Sequence, residues 1–428
     1  MAVFMGIVFA TLLFIGAPIG FTLGITALLC LLRLDNPVLL KLIPQRFFAG
    51  IDSFPLMAMP FFMLAGDIMN QSGITERLVG FTNTLVGHLR GGLAHVNILA
   101  SVFFAGITGS AVADTAALGS ILIPAMSQAG YSTAFSAAVT AASSVIGPII
   151  PPSIIMVLYG SIMGVSIAGL FAAGVVPGLL FGAALMIPAG IISKKRDYPI
   201  GDKRATIGEI WASFKESFLA LIMPVLILGG ILGGVFTPTE AAAVAVFYAC
   251  LVGFFVFKTL KVQDLPRMLL HTSSVMGMIF LIMASASILG WLLASERIPE
   301  LVSRLVLSIS TNPHVVMLLI NLFLLFVGMF MDIGAALVIL APILAPLAIS
   351  VGVNPLHFGV IMTINLNIGL ITPPLGACLF VACGISRLKL EDVVPDLWPF
   401  ILAEVAILFL ITYVPIIPMF LPKLLGFA

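Results

Sequence analysis

Four short runs of small, polar and proline residues interrupt otherwise apolar stretches, and chemistry is possible there. They are Gly106-Ile107-Thr108-Gly109-Ser110, Gly147-Pro148-Ile149-Ile150-Pro151-Pro152-Ser153, Gly328-Met329-Phe330-Met331-Asp332 and Gly369-Leu370-Ile371-Thr372-Pro373-Pro374. A helix broken inside an apolar stretch frees backbone groups that lipid cannot satisfy. Such a break is tolerated only where protein or a polar cavity supplies partners. Freed carbonyls suit a hard cation such as sodium, and freed N–H groups at the start of a half-helix suit a carboxylate. Asp114 and Asp332 follow the first and third runs. Asp114 reads as a structural helix cap, a position aspartate fills well. Asp332 stays open between a cap and support for a cation. Ser143 and Ser144 precede the second run, Asn365 and Asn367 the fourth. Each is open between ligand and helix-to-helix hydrogen bond. Asp67 and Glu240 stand near the ends of apolar stretches, where a carboxylate reaches the interface.

Other chemistries are excluded. There is no GxxxxGK[ST] to bind a nucleotide triphosphate, and no G-x-S-x-G or H-E-x-x-H. The expectation is a protein that is not an enzyme. His88 and His95 lack a carboxylate at ligand spacing, so no metal beyond sodium is expected. The four cysteines, Cys30, Cys250, Cys378 and Cys383, form no CxxC pair and read as small core residues.

The elements that position these runs are membrane helices. Hydrophobic residues make up 61% of the 428 and charged residues only 9%. A soluble domain carries about 25% charged residues, so lipid must cover this surface. The net charge of +1 gives no reason to expect a nucleic acid partner. Apolar stretches long enough to cross a bilayer fall at 3–32, 54–70, 93–126, 133–165, 167–192, 218–236, 239–257, 271–294, 313–350, 355–385 and 396–421. The first, interrupted at Gly16-Ala17-Pro18, crosses once or twice, and it reads as membrane structure, not as a signal peptide. Amphipathic pieces at 36–50, 74–90, 207–217 and 296–310 read as surface-lying segments or as loops. The positive-inside rule puts Lys194-Lys195-Arg196, Lys203-Arg204, Lys258, Lys261, Arg387 and Lys389 in the cytoplasm, and the C-terminus outside.

The two halves repeat. Asp114 and Pro124 match Asp332 and Pro342 at an offset of 218. Gly130, Gly147 and Pro151-Pro152 match Gly352, Gly369 and Pro373-Pro374 at 222, which implies four extra residues in the second copy. The charge pattern runs 133–165 outward and 355–385 inward, so the copies are inverted. Inverted repeats with paired broken helices are the mark of secondary transporters. Stretches 93–126 and 313–350 then read as re-entrant hairpins, with Gly-kinked through-spans as the alternative. The expected fold is an all-α membrane protein, an inverted-repeat transporter with two re-entrant helical hairpins and two broken transmembrane helices.

Gly109-Ser110-Ala111-Val112-Ala113-Asp114-Thr115, the two Gly-x-x-x-Pro-Pro runs and Phe236-Thr237-Pro238-Thr239-Glu240-Ala241 together resemble the large membrane subunit of a TRAP (tripartite ATP-independent periplasmic) transporter. Asp52-Ser53-Phe54 and Ser72-Gly73-Ile74 extend the resemblance over nearly the whole chain. The resemblance implies sodium-driven symport of an organic acid, such as sialic acid, a sugar acid or a C4-dicarboxylate, across the bacterial inner membrane. It implies a small four-helix membrane subunit and a periplasmic substrate-binding protein as partners, and no cofactor besides coupling sodium ions. A stand-alone sodium/organic anion carrier is the alternative. The family's elevator mechanism implies scaffold helices and an arm over 1–92 and 166–312. It implies a moving transport domain over 93–165 and 313–385, with a C-terminal helix over 386–428. Carried over residue by residue, one sodium cluster comprises Gly106, Thr108, Ser110, Ser144 and Gly147. The other comprises Gly328, Asp332, Asn365, Gly369 and Thr372. Substrate would sit near Ser110, Asn365 and Pro373, while Asp114, Pro151, Pro152 and Pro374 would be structural.

Overall fold

A computed structural model describes residues 1–34, 37–201 and 204–427; Lys203, one of the basic loop residues, lies outside them. The described residues form helices, joined by one isolated bridge between Arg90 and Ile200. Helices α1 (Ala2–Phe14) and α2 (Ile19–Arg33) pack on each other, so the first apolar stretch is two short helices. Short α3 (Pro37–Leu40) and α4 (Leu42–Ala49) lead to α5 (Ala58–Gln71) and α6 (Ile74–Val86). Next come α7 (Gly92–Thr108), α8 (Ala111–Gln128), α9 (Thr133–Ser144), α10 (Ile154–Met163) and the long α11 (Ile167–Lys195). Helices α12 (Ile207–Leu232), α13 (Pro238–Leu251) and α14 (Leu265–Ser295) follow, then α15 (Ile298–Ile309), which meets α16 (Pro313–Gly328) at 120°. The chain ends with α17 (Ile333–Ser350), α18 (Pro355–Gly369), α19 (Ala377–Ser386), α20 (Leu390–Tyr413) and α21 (Ile416–Leu424). Among the described residues six helices are long and apolar enough to cross a membrane, or up to eight spans if each bent pair counts as one. The 207–217 piece is no separate surface segment: it is the first part of α12 and continues without a break.

Helix starts follow side-chain chemistry. Ser110, Ser153, Ser166, Asn312, Asp332 and Asn354 each accept a hydrogen bond from a backbone N–H one turn in. Thr206 with Glu209, and Thr237 with Glu240, form full capping boxes. Glu240, expected near the end of an apolar stretch, is exposed and closes the capping box that starts α13.

Both expected hairpins are present. In the first, the α7 start lies beside the α8 end: Leu93 N–H donates to the Tyr131 hydroxyl at 3.3 Å, and Asn97 Nδ2 meets Met126 Sδ at 3.8 Å. In the second, Pro313, His314 and Met317 share one cavity wall with Val351 and Gly352. A kinked through-span would separate these ends by a membrane thickness. The hairpins and broken helices are inverted relative to one another. At the start of α9, Ser132 N–H donates to the Tyr198 hydroxyl at 3.2 Å, and the adjoining Arg196 pairs with Asp396 in the second turn of α20. The α18 residue His357 pairs through Nε2 with the Ile411 carbonyl, near the end of α20, at 2.9 Å. The two broken helices therefore begin at opposite ends of the same helix.

A bidentate ion pair ties the basic loop after α11 to α20. Arg196 Nη1 donates to Asp396 Oδ2 at 2.9 Å and Nη2 donates to Oδ1, with Asp396 10% exposed. Two parallel charge-assisted bonds on a nearly buried carboxylate are the strong kind. Asp396→Asn should cost about 2 kcal/mol, seen as a lower unfolding temperature in detergent. An unchanged temperature would mean that solvent competes for the pair.

Candidate functional site

The caps put the repeat in a single register. Ser110 opens α8 and Asp332 opens α17, and both helices run 18 residues. Asp332 stands 222 residues after Ser110, the same offset as Gly328 from Gly106, Pro346 from Pro124, Gly352 from Gly130 and Gly369 from Gly147. The 218 offset and its four-residue insertion are therefore overturned. Asp332 corresponds to Ser110, not to Asp114, and Pro124 corresponds to Pro346. Gly130 and Gly352 both end their hairpins at φ +90, a region where a side chain is strained.

Asp114 is not a cap. It lies in the first turn of α8, fully buried, and its Oδ1 accepts from the Thr108 hydroxyl. Its Oδ2 has no protein partner and faces Gly147, where a Cβ would stand only 2.3 Å away. The Ser144 carbonyl accepts from Gly147 N–H at 3.0 Å, while the Ser144 hydroxyl turns back to the Thr140 carbonyl at 2.7 Å. Thr108, Ser144 and Gly147 thus gather around a carboxylate assigned a merely structural role from sequence. Ser110, two residues beyond Thr108, caps α8 through Ala113 N–H at 3.4 Å. Gly106 faces elsewhere: a Cβ there would meet Pro224 of α12 at 2.7 Å, so its smallness serves close helix packing.

The second cluster is built on backbone contact. A Cβ on Gly369 would stand 2.4 Å from the Gly328 carbonyl oxygen, so α16 and α18 touch main chain to main chain. Thr372 N–H donates to the Gly369 carbonyl at 3.1 Å and its hydroxyl to the Ile368 carbonyl at 2.7 Å. Leu375 N–H donates to the Met329 carbonyl at 3.3 Å, joining the break to the hairpin tip. Asp332 Oδ2 caps α17 through Gly334 N–H at 2.9 Å and Ala335 N–H at 3.4 Å. Asn365 is fully buried; its Nδ2 donates to Asn321 Oδ1 at 2.9 Å and its Oδ1 has no partner. Asn321, which donates in turn to the Thr412 hydroxyl at 3.0 Å, was not anticipated from sequence. Nothing in its neighbourhood breaks the apolar pattern. Asn367 is buried with neither amide atom partnered.

The N-terminal ends of α8 and α17 open on one cavity of about 460 Å³. Gly109 to Ala113 and Asp332 to Gly334 line it from the two tips, and Pro148 and Leu370 from the two breaks. The opposite wall is α5, with Asp67, and α14, with His271. Of the residues expected at the substrate, Ser110 lines this cavity from the first hairpin tip, Asn365 is bonded to Asn321, and Pro373 is half-buried in the break. Pro151 and Pro152 are buried, whereas Pro374 is exposed. Asp67 pairs through Oδ2 with His271 Nδ1 at 2.9 Å on the cavity wall.

Two hairpins and two broken helices, inverted around such a cavity, define an all-α membrane transporter. The same architecture occurs in the crystal structure of the Alcanivorax borkumensis YdaH transporter, which matches with a TM-score of 0.63 over 88% of each chain at 15% identity. The family model "Tripartite ATP-independent periplasmic transporter, DctM component" matches residues 6–417, and the chain belongs to that family. It is 43% identical to the sialic acid TRAP transporter large permease protein SiaM of Vibrio cholerae, over 97% of both chains. It is 40% identical to the sialic acid TRAP transporter permease protein SiaT of Haemophilus influenzae, over 98% of this chain and 68% of that longer one.

Proposed function

We propose that this chain is the large subunit of a sodium-driven importer of organic acids in the bacterial inner membrane. It works with a small four-helix membrane subunit and a periplasmic binding protein that delivers the acid. The observation that carries the reading is the pair of helix N-termini facing one cavity beside the Asp332 carboxylate. Helix N-termini attract a carboxylate by about 0.3–2 kcal/mol. Asp332 opposes it: two like charges about 5 Å apart cost about 3 kcal/mol at an effective dielectric of 20. An organic anion therefore enters favourably only with a cation. Sodium supplies that charge at the cluster of Gly328, Asp332, Asn365, Gly369 and Thr372. A second sodium sits where Thr108, Ser144 and Gly147 gather around Asp114, with Ser110 at the adjoining helix start and Gly106 behind them. The hairpins and broken helices, over 93–165 and 313–385, move as one transport domain against the scaffold.

The test is uptake into proteoliposomes holding this chain and its small subunit under an inward sodium gradient. Labelled N-acetylneuraminate or succinate is offered with and without the cognate binding protein. Uptake that needs both sodium and binding protein is expected. Uptake with sodium alone would mean a stand-alone carrier, and uptake indifferent to sodium would remove the coupling.

A further inference from the structure

The cavity that would hold the acid is lined by three ionisable residues, Asp67, His271 and Asp332; among the described residues no lysine or arginine lines it. The α5/α14 wall has Met59, Met63, Val275, Met276 and Ile279 around the Asp67–His271 pair. His271 is 58% exposed and Asp67 23%, so the pair meets the cavity instead of closing a core. Thr272 Oγ1 also donates to Asp67 Oδ2, at 3.4 Å, which holds the carboxylate in place. An ionised carboxylate only accepts hydrogen bonds, so His271 Nδ1 carries the proton shared with Asp67. That orientation leaves Nε2 for the cavity.

We propose that His271 is a specificity-determining residue, the cationic contact for the substrate's acidic group on the wall opposite the hairpin tips, with Asp67 as its positioning residue. The proposal rests on the organic-acid reading of the cavity. The tips offer backbone N–H groups and a sodium ion, both on one side of the ligand. An acid held between two walls needs a second donor, and His271 is the basic side chain placed to give it. With both nitrogens protonated, imidazole donates from Nδ1 to Asp67 and from Nε2 to the anion. The charged groups on α14 and on the elements packed against it are Arg267, Arg33, Arg46, Asp67, Asp264, Glu300, Arg304 and Asp332. Of these, Asp67 and Asp332 share the cavity with His271. Both are acidic, so neither competes with His271 as donor.

The experiment measures equilibrium binding of labelled N-acetylneuraminate and succinate to the purified two-subunit complex in saturating sodium, by scintillation proximity. For whichever acid the wild type binds, His271→Gln should raise Kd about tenfold, the loss of one charge-assisted contact. His271→Lys, which keeps a donor and a charge, should stay within about threefold of wild type. Asp67→Asn, which leaves the imidazole unsupported, should raise Kd without touching the ligand itself. Unfolding temperatures should be the same in all four proteins, which separates a contact from a structural role. A wild-type Kd retained by His271→Gln would overturn this inference alone. A wild type that binds no acid in sodium would overturn the cavity reading as well.

Discussion

Asp332→Asn should raise the sodium concentration for half-maximal uptake by about 10- to 100-fold, because a contact to a charged group is worth about 1.5–3 kcal/mol. The substitution is chosen to separate two roles. Asp332 Oδ2 caps α17 through Gly334 and Ala335, and asparagine caps a helix about as well as aspartate. Asp332→Asn therefore keeps the hairpin tip and removes only the negative charge. Asp332→Ala removes both, and should add about 1 kcal/mol of lost stability to the same sodium defect. Sodium titrations of uptake on both variants, beside their unfolding temperatures, give the answer. A normal sodium curve for Asp332→Asn, with a stability loss confined to Asp332→Ala, would reduce Asp332 to a cap.

Gly369→Ala should be among the most damaging single methyls in the transport elements. The added Cβ would stand 2.4, 2.5 and 2.7 Å from the oxygen, carbonyl carbon and Cα of Gly328. These are backbone atoms at the tip of a hairpin, with no flexible side chain to give way. Overpacking of this kind costs about 1–3 kcal/mol. It also forces apart the carbonyls proposed to hold sodium, so uptake should fall to background. The reverse substitution is milder by geometry: a Cβ on Gly328 would come no closer than 3.3 Å to Gly369 Cα. Gly328→Ala should keep measurable sodium-dependent uptake. Equal loss in the two variants, or activity in Gly369→Ala, would show that this crossing is not where the cation is held.

The Gly and Pro breaks were legible because glycine, proline and hydroxyl residues inside an apolar run have no other economical placement. The inverted repeat was legible for the same reason, since its marks are the breaks themselves. Its register was not. Ser110 and Asp332 perform one job, capping a hairpin helix, with different letters, while Asp114 and Asp332 share a letter and differ in environment. Identity of residue type pulled the alignment four residues out of place, and a constant offset of 222 through both glycines and the cap would have corrected it.

By itself the chain determined that it lies in lipid, that four apolar stretches are interrupted, and that the halves oppose one another. Apolar content, backbone satisfaction and loop charge act locally, so each can be read along the sequence. Tertiary structure alone decided which polar groups meet. Asp67 and His271 stand 204 residues apart and pair across two helices. Asn365 turns to Asn321 and away from the cavity wall. Asp114 became the centre of a cluster because Gly147, from another helix, leaves room beside its free oxygen. Such meetings depend on helix crossings, and a crossing is set by packing across the whole fold, not by any short stretch of residues.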